Sequence, residues 1–341
     1  MGKSALITGV TGQDGAYLSE LLLGKGYEVY GAQRRTSSTN DWRLRELNVA
    51  DRINYVSLDL AEESNIYRLI RSLKVDEIYN LAAQSFVSTS FEQPIYTTQI
   101  NAVSVCRLLE AIRLTERPIK FYQASTSEMF GKSVETPQSE TTPFYPRSPY
   151  GISKLYGHWT TVNYRESYGM FACSGILFNH ESPLRGSEFV TRKSVIALAR
   201  LRHGGTATLK LGNLNARRDW GFAGDYVAAM WAMLQNPTPD DYVVATGKTW
   251  SIRDFVSLAG ASFDFEIEWK GEGEDEIGVD RRSGRTLIEV DPQFYRPAEV
   301  DILMGSAKKA MERLNWRSEV SFEQLVEMMA RTEYDRISRQ H

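Results

Sequence analysis

Ala5-Leu6-Ile7-Thr8-Gly9-Val10-Thr11-Gly12-Gln13-Asp14-Gly15 lies almost at the start of the chain, and its reading decides the fold. Ala5 to Thr8 is a short apolar run that reads as a strand. Tyr17 to Lys25, with Leu18, Leu21 and Leu22 on one side, has helical spacing. Between them Gly9, Gly12 and Gly15 are spaced G-x-x-G-x-x-G. Glycines at such a junction allow a tight turn and let the backbone approach a pyrophosphate at the positive end of the helix. A glycine-rich turn alone is weak evidence. With a strand before it and a helix after it, it marks a dinucleotide site in which Gly9, Thr11, Gly12, Gln13, Asp14 and Gly15 are the candidate contacts.

The strand–helix rhythm continues outward from this turn. Glu28–Ala32, Ile53–Leu58, Glu77–Leu81, Lys120–Ala124 and Cys173–Phe178 read as further strands. Helices are expected over Ser64–Leu73 and Thr97–Arg113. Repeated alternation implies parallel strands joined by right-handed helical crossovers, an α/β doubly wound parallel sheet of the Rossmann type. After about residue 180 the rhythm changes. Helical stretches (191–202, 226–235, 251–261 and 322–337) mix with short strands and charged loops, and 272–276 reads as an exposed acidic loop. The expected division is a dinucleotide-binding domain over 1–180, with later returns near 215–245 and 285–305. The rest of 181–341 forms a smaller mixed α/β substrate-binding domain.

Bulk properties narrow the function classes. The 341 residues are 42% hydrophobic and 24% charged, an ordinary globular composition. A net charge of −3 gives no overall attraction to nucleic acid or anionic membrane. The two cysteines, Cys106 and Cys173, lack metal-ligand or disulfide-framework spacing and read as thiols in a reducing compartment. No metal site is expected. No apolar run approaches the roughly 20 residues of a membrane span, and the N-terminus lacks the pattern of a signal peptide. A cytoplasmic protein is expected.

The residues after the second strand choose the cofactor. A carboxylate there would suit the ribose 2′-hydroxyl of NAD. This chain instead has Arg34, Arg35, Thr36 and Ser37. Guanidinium charge and forked donors suit a 2′-phosphate, so NADP is favoured over the alternative of a solvated basic loop. Asp59 and Leu60 end the third strand, where the carboxylate would accept from the adenine amino group or simply cap the next helix. Leu81, Ala82, Ala83, Gln84 and Ser85 end the fourth, where small residues admit the dinucleotide.

Two motifs carry chemistry. Tyr150 and Lys154, at i and i+4, share a helix face. A tyrosine with an ordinary pKa near about 10 is a poor base at neutral pH, and a neighbouring ammonium favours its phenolate. Upstream stands Ser125-Thr126-Ser127-Glu128-Met129-Phe130-Gly131. The Thr126 hydroxyl is placed to meet a reacting sugar oxygen. Glu128 adds a carboxylate that plain hydride transfer does not need. A sugar oxidised to a 4-ketone has an acidified C5 hydrogen, which a general base removes. The same group, now protonated, can donate to the hydroxyl leaving C6.

These motifs resemble the extended short-chain dehydrogenase/reductase superfamily and, within it, the GDP-mannose 4,6-dehydratases. The likeness extends to Asn179-His180-Glu181-Ser182-Pro183, Arg217-Arg218-Asp219-Trp220 and Arg296-Pro297-Ala298-Glu299-Val300-Asp301. Ser127 stands where the dTDP-glucose dehydratases usually carry Asp. The resemblance implies NADP-dependent dehydration of GDP-mannose by C4 oxidation, C5–H/C6–OH elimination and hydride return to C6. It implies cofactor contacts from Tyr96, His180 and Arg185, with a packed core histidine the other reading of His180. It also implies substrate contacts from Ser85, Asn179, Lys193 and Glu299, and pyrophosphate clamps from Arg218 and Arg296. A homotetramer built from dimers, with the Arg34 to Asn40 loop reaching a neighbour's cofactor, belongs to the same implication. The alternatives are an NADP-dependent nucleotide-sugar reductase or epimerase, for which Glu128 has no task, and a non-catalytic dinucleotide sensor, which would not need Tyr150 and Lys154.

Overall fold

The computed structural model describes residues 2–295 and 302–339. Arg296 and Glu299 lie outside the described residues. The strands β1 (Ser4–Thr8), β2 (Glu28–Gln33), β3 (Asn54–Ser57), β4 (Glu77–Asn80), β5 (Lys120–Thr126) and β6 (Ala172–Leu177) form one sheet with Asp241–Val244. The spatial order is Asp241–Val244, β6, β5, β4, β1, β2, β3, every pair parallel. The Asp241–Val244 strand was not among the strands expected from the sequence. Its four residues are too short to show a period of their own.

The order reverses between β1 and β4, which opens a crevice at their carboxyl ends. Buried polar side chains tie those ends together. Thr8 Oγ1 donates to Asn80 Oδ1 at 2.7 Å and accepts from the Leu81 and Ala82 N–H groups at 3.1 Å. Asn80 Nδ2 donates to Gln123 Oε1 of β5 at 2.8 Å. Each desolvated polar group is thereby paired.

Helices cover both faces of the sheet. Gln13–Gly24 and Ala223–Gln235 pack Leu18, Leu22, Met230 and Met233 on one face. Glu63–Ser72 and Ser104–Arg113 pack Ile66, Ile70, Leu108 and Ile112 on the other. Each such side chain, fully buried, contributes about 1.5–3 kcal/mol of transfer free energy. The expected 97–113 helix is interrupted by a π-helical turn at Gln99–Val103. Among the described residues no helix is long and apolar enough to cross a membrane.

The second layer is a four-stranded sheet of Leu209–Leu211, Thr286–Val290, Ile277–Asp280 and Ile267–Lys270. Helices Val190–Arg202, Ile252–Ser262 and Phe322–Ser338 share its core around Leu198, Phe255, Ile288 and Met329. Residues 223–244 pack in the first layer, while Leu287 and Ile288 face the second core. A later return runs through Leu303, packed with Phe130 and Phe178, and through Ala310 and Trp316. The 273–275 turn is exposed, whereas Glu276 is buried in an ion pair with Arg253. Cys173 is buried and Cys106 half-buried.

Candidate functional site

A cleft of about 1100 Å³ opens at the switch point and runs between the two layers. Its floor is the glycine turn. Gly9 has φ +69, and a Cβ there would stand 2.9 Å from the Ala82 backbone; one at Gly15 would stand 2.4 Å from the Gly9 carbonyl. Only glycine allows this approach of β1 to the segment after β4. The Gln13–Gly24 helix has no side-chain cap, so its first N–H groups face the cleft as donors for an anion.

Gln13 and Asp14 do more than line this turn. Gln13 Nε2 donates to the His180 carbonyl at 3.1 Å, and Gln13 Oε1 accepts from Ser182 at 2.7 Å. His180 Nε2 lies 2.9 Å from Asp14 Oδ2 and Nδ1 lies 2.8 Å from the Phe178 carbonyl. Both ring nitrogens face acceptors, which the imidazolium satisfies by donating twice. Burial opposes that charge, but the Asp14 carboxylate outweighs it and raises the His180 pKa. Burial likewise pushes the Asp14 carboxyl up, and His180 reverses this to a net lowering. The His180 ring stacks on Tyr226 with centroids 4.6 Å apart.

The basic loop divides. Arg34 and Thr36 line the cleft, and Arg34 Nη1 donates to the Tyr96 hydroxyl at 3.1 Å. Arg35 and Ser37 are exposed and stand outside the lining. The lining instead gains Arg43, a residue not singled out from the sequence. Its guanidinium donates to the Leu184 carbonyl at 2.6 Å and the Thr11 carbonyl at 3.1 Å. Only tertiary folding brings the Trp42–Glu46 helix to this wall, so spacing held no signal for it.

Asp59, Leu60, Leu81, Ala82, Ala83 and Ser85 all line the cleft. Asp59 Oδ1 also accepts from the Ala61 N–H at 3.0 Å, so it shapes its own turn, while Glu62 caps the next helix. The Gln84 side chain donates to the Phe86 carbonyl at 3.0 Å and lies outside the lining. Its backbone is held by Asn101, which accepts from Gln84 N at 2.8 Å and donates to Gln84 O at 2.9 Å. Asn101 belongs to the π-helical turn, a local irregularity often found at functional sites.

Thr126, Glu128, Tyr150 and Lys154 meet on one wall. Ser148 caps the Pro149–Tyr168 helix by accepting from Gly151 N at 3.0 Å, and Pro149 starts it. A Cβ at Gly151 would stand 2.8 Å from the Glu128 carbonyl, so glycine beside Tyr150 lets the helix reach the Glu128 turn. Thr126 Oγ1 accepts from Glu128 N at 3.2 Å. Glu128 is half-buried.

The electrostatics differ from the sequence expectation. Burial pushes Tyr150 up to about 12, with Thr126 pulling it down and Glu128 pushing it further up. Burial pulls Lys154 down to about 8. The Lys154 ammonium donates to the Ala124 carbonyl at 2.9 Å and sits 5.9 Å from the Tyr150 ring centroid. Desolvation therefore outweighs any help that Lys154 gives the phenolate.

The rest of the lining is basic and aromatic. Arg185 pairs with buried Glu181 at 3.2 Å and lies over the Phe189 ring. Lys193 Nζ donates to the Lys210 carbonyl at 2.7 Å and sits 3.4 Å over the Phe294 ring. Arg218 is buried and donates to the Arg217 carbonyl at 2.9 Å, and Asn179 also lines the cleft.

The family model for GDP-mannose 4,6 dehydratase matches residues 6–329. The GDP-mannose 4,6 dehydratase of Drosophila melanogaster is 50% identical, covering 98% of this chain and 86% of its own. That of Sinorhizobium fredii is 51% identical over 96% of both. That of Homo sapiens is 48% identical over 98% of this chain and 93% of its own. Among solved structures, a dTDP-glucose 4,6-dehydratase from Bacillus anthracis in complex with NAD superposes with a TM-score of 0.80. It is 20% identical over 99% of this chain and 98% of its own. At that identity the likeness is one of fold.

Proposed function

The chain belongs to the GDP-mannose 4,6-dehydratase family, and from that premise we propose that its cleft converts GDP-mannose to GDP-4-keto-6-deoxy-mannose with a nicotinamide cofactor, read as NADP. The enzyme is thus a hydro-lyase. The observation that carries the reading is Glu128, a carboxylate on the wall that also holds Thr126 and Tyr150. Neither a reductase nor an epimerase needs a C5 base followed by loss of the C6 hydroxyl.

The glycine turn fits a dinucleotide, since Gly9 and Gly15 let it close tightly on Ala82 and on itself while its residues line the cleft. The turn and the uncapped helix end would hold its pyrophosphate, Asp59 its adenine, and Lys154 its nicotinamide ribose. Arg34 and Thr36 would hold the 2′-phosphate. A nicotinamide bound there would supply the hydride acceptor for sugar C4 and the hydride donor for C6. Tyr150 takes the O4 proton as the C4 ketone forms, with Thr126 orienting that oxygen. Glu128 removes the C5 proton and passes it to O6, so that water leaves from C6. Tyr150 or solvent then returns a proton to C5. The sum is loss of one water. Arg218, Lys193 and Asn179 would hold the GDP moiety, where guanidinium geometry suits a diphosphate.

GDP-mannose deuterated at C4 tests the reading. Product that has lost water and carries the deuterium on C6 is the expected result. Unchanged or merely epimerised GDP-mannose would overturn it.

Two further expectations concern cofactor and assembly. Arg34→Ala is expected to weaken NADP about tenfold or more, as loss of a charge-assisted contact to phosphate does, and NAD hardly at all. Equal weakening in a fluorescence titration would remove the 2′-phosphate from the account. A homotetramer is expected by light scattering. Supporting self-association, Ile152, Tyr156 and Trp159 line the outer face of the Pro149–Tyr168 helix at 58%, 52% and 54% exposure. A monomer at micromolar concentration would refute it.

A further inference from the structure

Behind the catalytic wall runs a buried chain of hydroxyls and one imidazole that the mechanism above does not use. His158 Nδ1 lies 2.8 Å from Ser174 Oγ of β6, and Ser174 Oγ lies 2.8 Å from Ser125 Oγ of β5. The three residues are 3%, 0% and 4% exposed. Ser125 immediately precedes Thr126 and lines the cleft. Tyr150, Lys154 and His158 stand at i, i+4 and i+8, so all three share the face of the Pro149–Tyr168 helix that meets the sheet. Burial holds the imidazole below its ordinary pKa and therefore neutral. Phe144 and Trp159 pack edge-on against it, with centroids 5.4 and 5.3 Å away, and fix its plane.

We propose that His158 is a positioning residue for the dehydration. Through Ser174 and Ser125 it fixes the rotation and height of the helix carrying Tyr150 and Lys154 against the strand end carrying Thr126. Lys154, bonded to the Ala124 carbonyl, is another polar tie between these elements. That tie belongs to a group with work to do in the cleft. The His158 chain holds the same register with no reacting group, and it holds it where water cannot compete. A register error of about 1 Å between Tyr150 and Thr126 is enough to cost on the order of a hundredfold in rate.

The claim rests on the dehydratase reading for its kinetic test, so a second readout stands apart from activity. Asn in place of His158 can return a polar atom to the Nδ1 position, whereas Gln reaches beyond it. Ser174→Ala and His158→Gln are each expected to lower kcat about tenfold or more, with KM for GDP-mannose within about twofold. The double variant should be no slower than either single one, since both break one chain. His158→Asn should restore most of the rate. Amide hydrogen exchange over residues 150–158 should quicken in the first two variants and stay slow in His158→Asn. Ser174→Ala removes one hydroxyl, so it decides the matter should His158→Gln fail to fold. Wild-type kcat and exchange in Ser174→Ala would overturn the proposal, as would an additive double variant or no rescue by Asn. A wild type that leaves GDP-mannose intact would defeat the dehydratase reading instead, and exchange alone would then judge His158.

Discussion

Replacing Glu128 by Gln is expected to lower the rate of dehydration by about 10²–10⁴-fold, the usual contribution of a positioned general acid–base. The substitution is isosteric. The bond that sets the turn, from Glu128 N to Thr126 Oγ1, uses the backbone and survives it. Substrate and cofactor should therefore still bind, and KM should move little. An amide cannot take the C5 proton or carry it to O6, so the cycle should stall after C4 oxidation. The signature is reduced nicotinamide that persists on mixing the variant with GDP-mannose, with no deuterium entering C5 from heavy water. Dehydration at the wild-type rate would remove Glu128 from the mechanism. Persistent reduction would also separate the two half-reactions, which the wild type completes within one turnover.

Where sequence was legible and where it was not follows from range. Gly9, Gly12 and Gly15 act over one turn, and the strand before and helix after announce them by period alone. The N-cap Ser148, Pro149 and the αL Gly169 bracket the catalytic helix by equally local rules. Arg43, Asn101 and the His158–Ser174–Ser125 chain have no such signal. Each works through partners far along the chain: Leu184, Gln84 and Ser125. Gln84 shows the converse. A motif placed it at the cleft by its neighbours' company, and packing turned its side chain to the Phe86 carbonyl. The i and i+4 spacing of Tyr150 and Lys154 was legible, but its electrostatic consequence was not. Burial, which spacing cannot report, dominates both pKa values.

That burial shapes the second large effect. Tyr150→Phe is expected to cost about 10²–10⁴-fold in kcat, or about 2.7–5.5 kcal/mol of barrier at 1.36 kcal/mol per tenfold. Phenylalanine fills the same space, and Thr126 keeps its bond from Glu128 N, so the wall should remain in place. The loss should fall on C4 oxidation itself. Unlike Glu128→Gln, this variant should accumulate no reduced nicotinamide. The pH profile sharpens the test. With its hydroxyl near 12, Tyr150 is protonated at neutral pH and relies on positive charge beside it to act as a base. Lys154, near 8, is an ammonium below that pH and loses its charge above it. As pH rises through about 8, kcat/KM of the wild type should therefore fall, although more tyrosine would ionise in isolation. The residual activity of Tyr150→Phe should lack that limb, having no phenolate for Lys154 to favour. A wild-type profile that climbs steadily toward pH 10 would mean that Tyr150 ionises without Lys154, and the pairing of the two residues as one acid–base unit would fail.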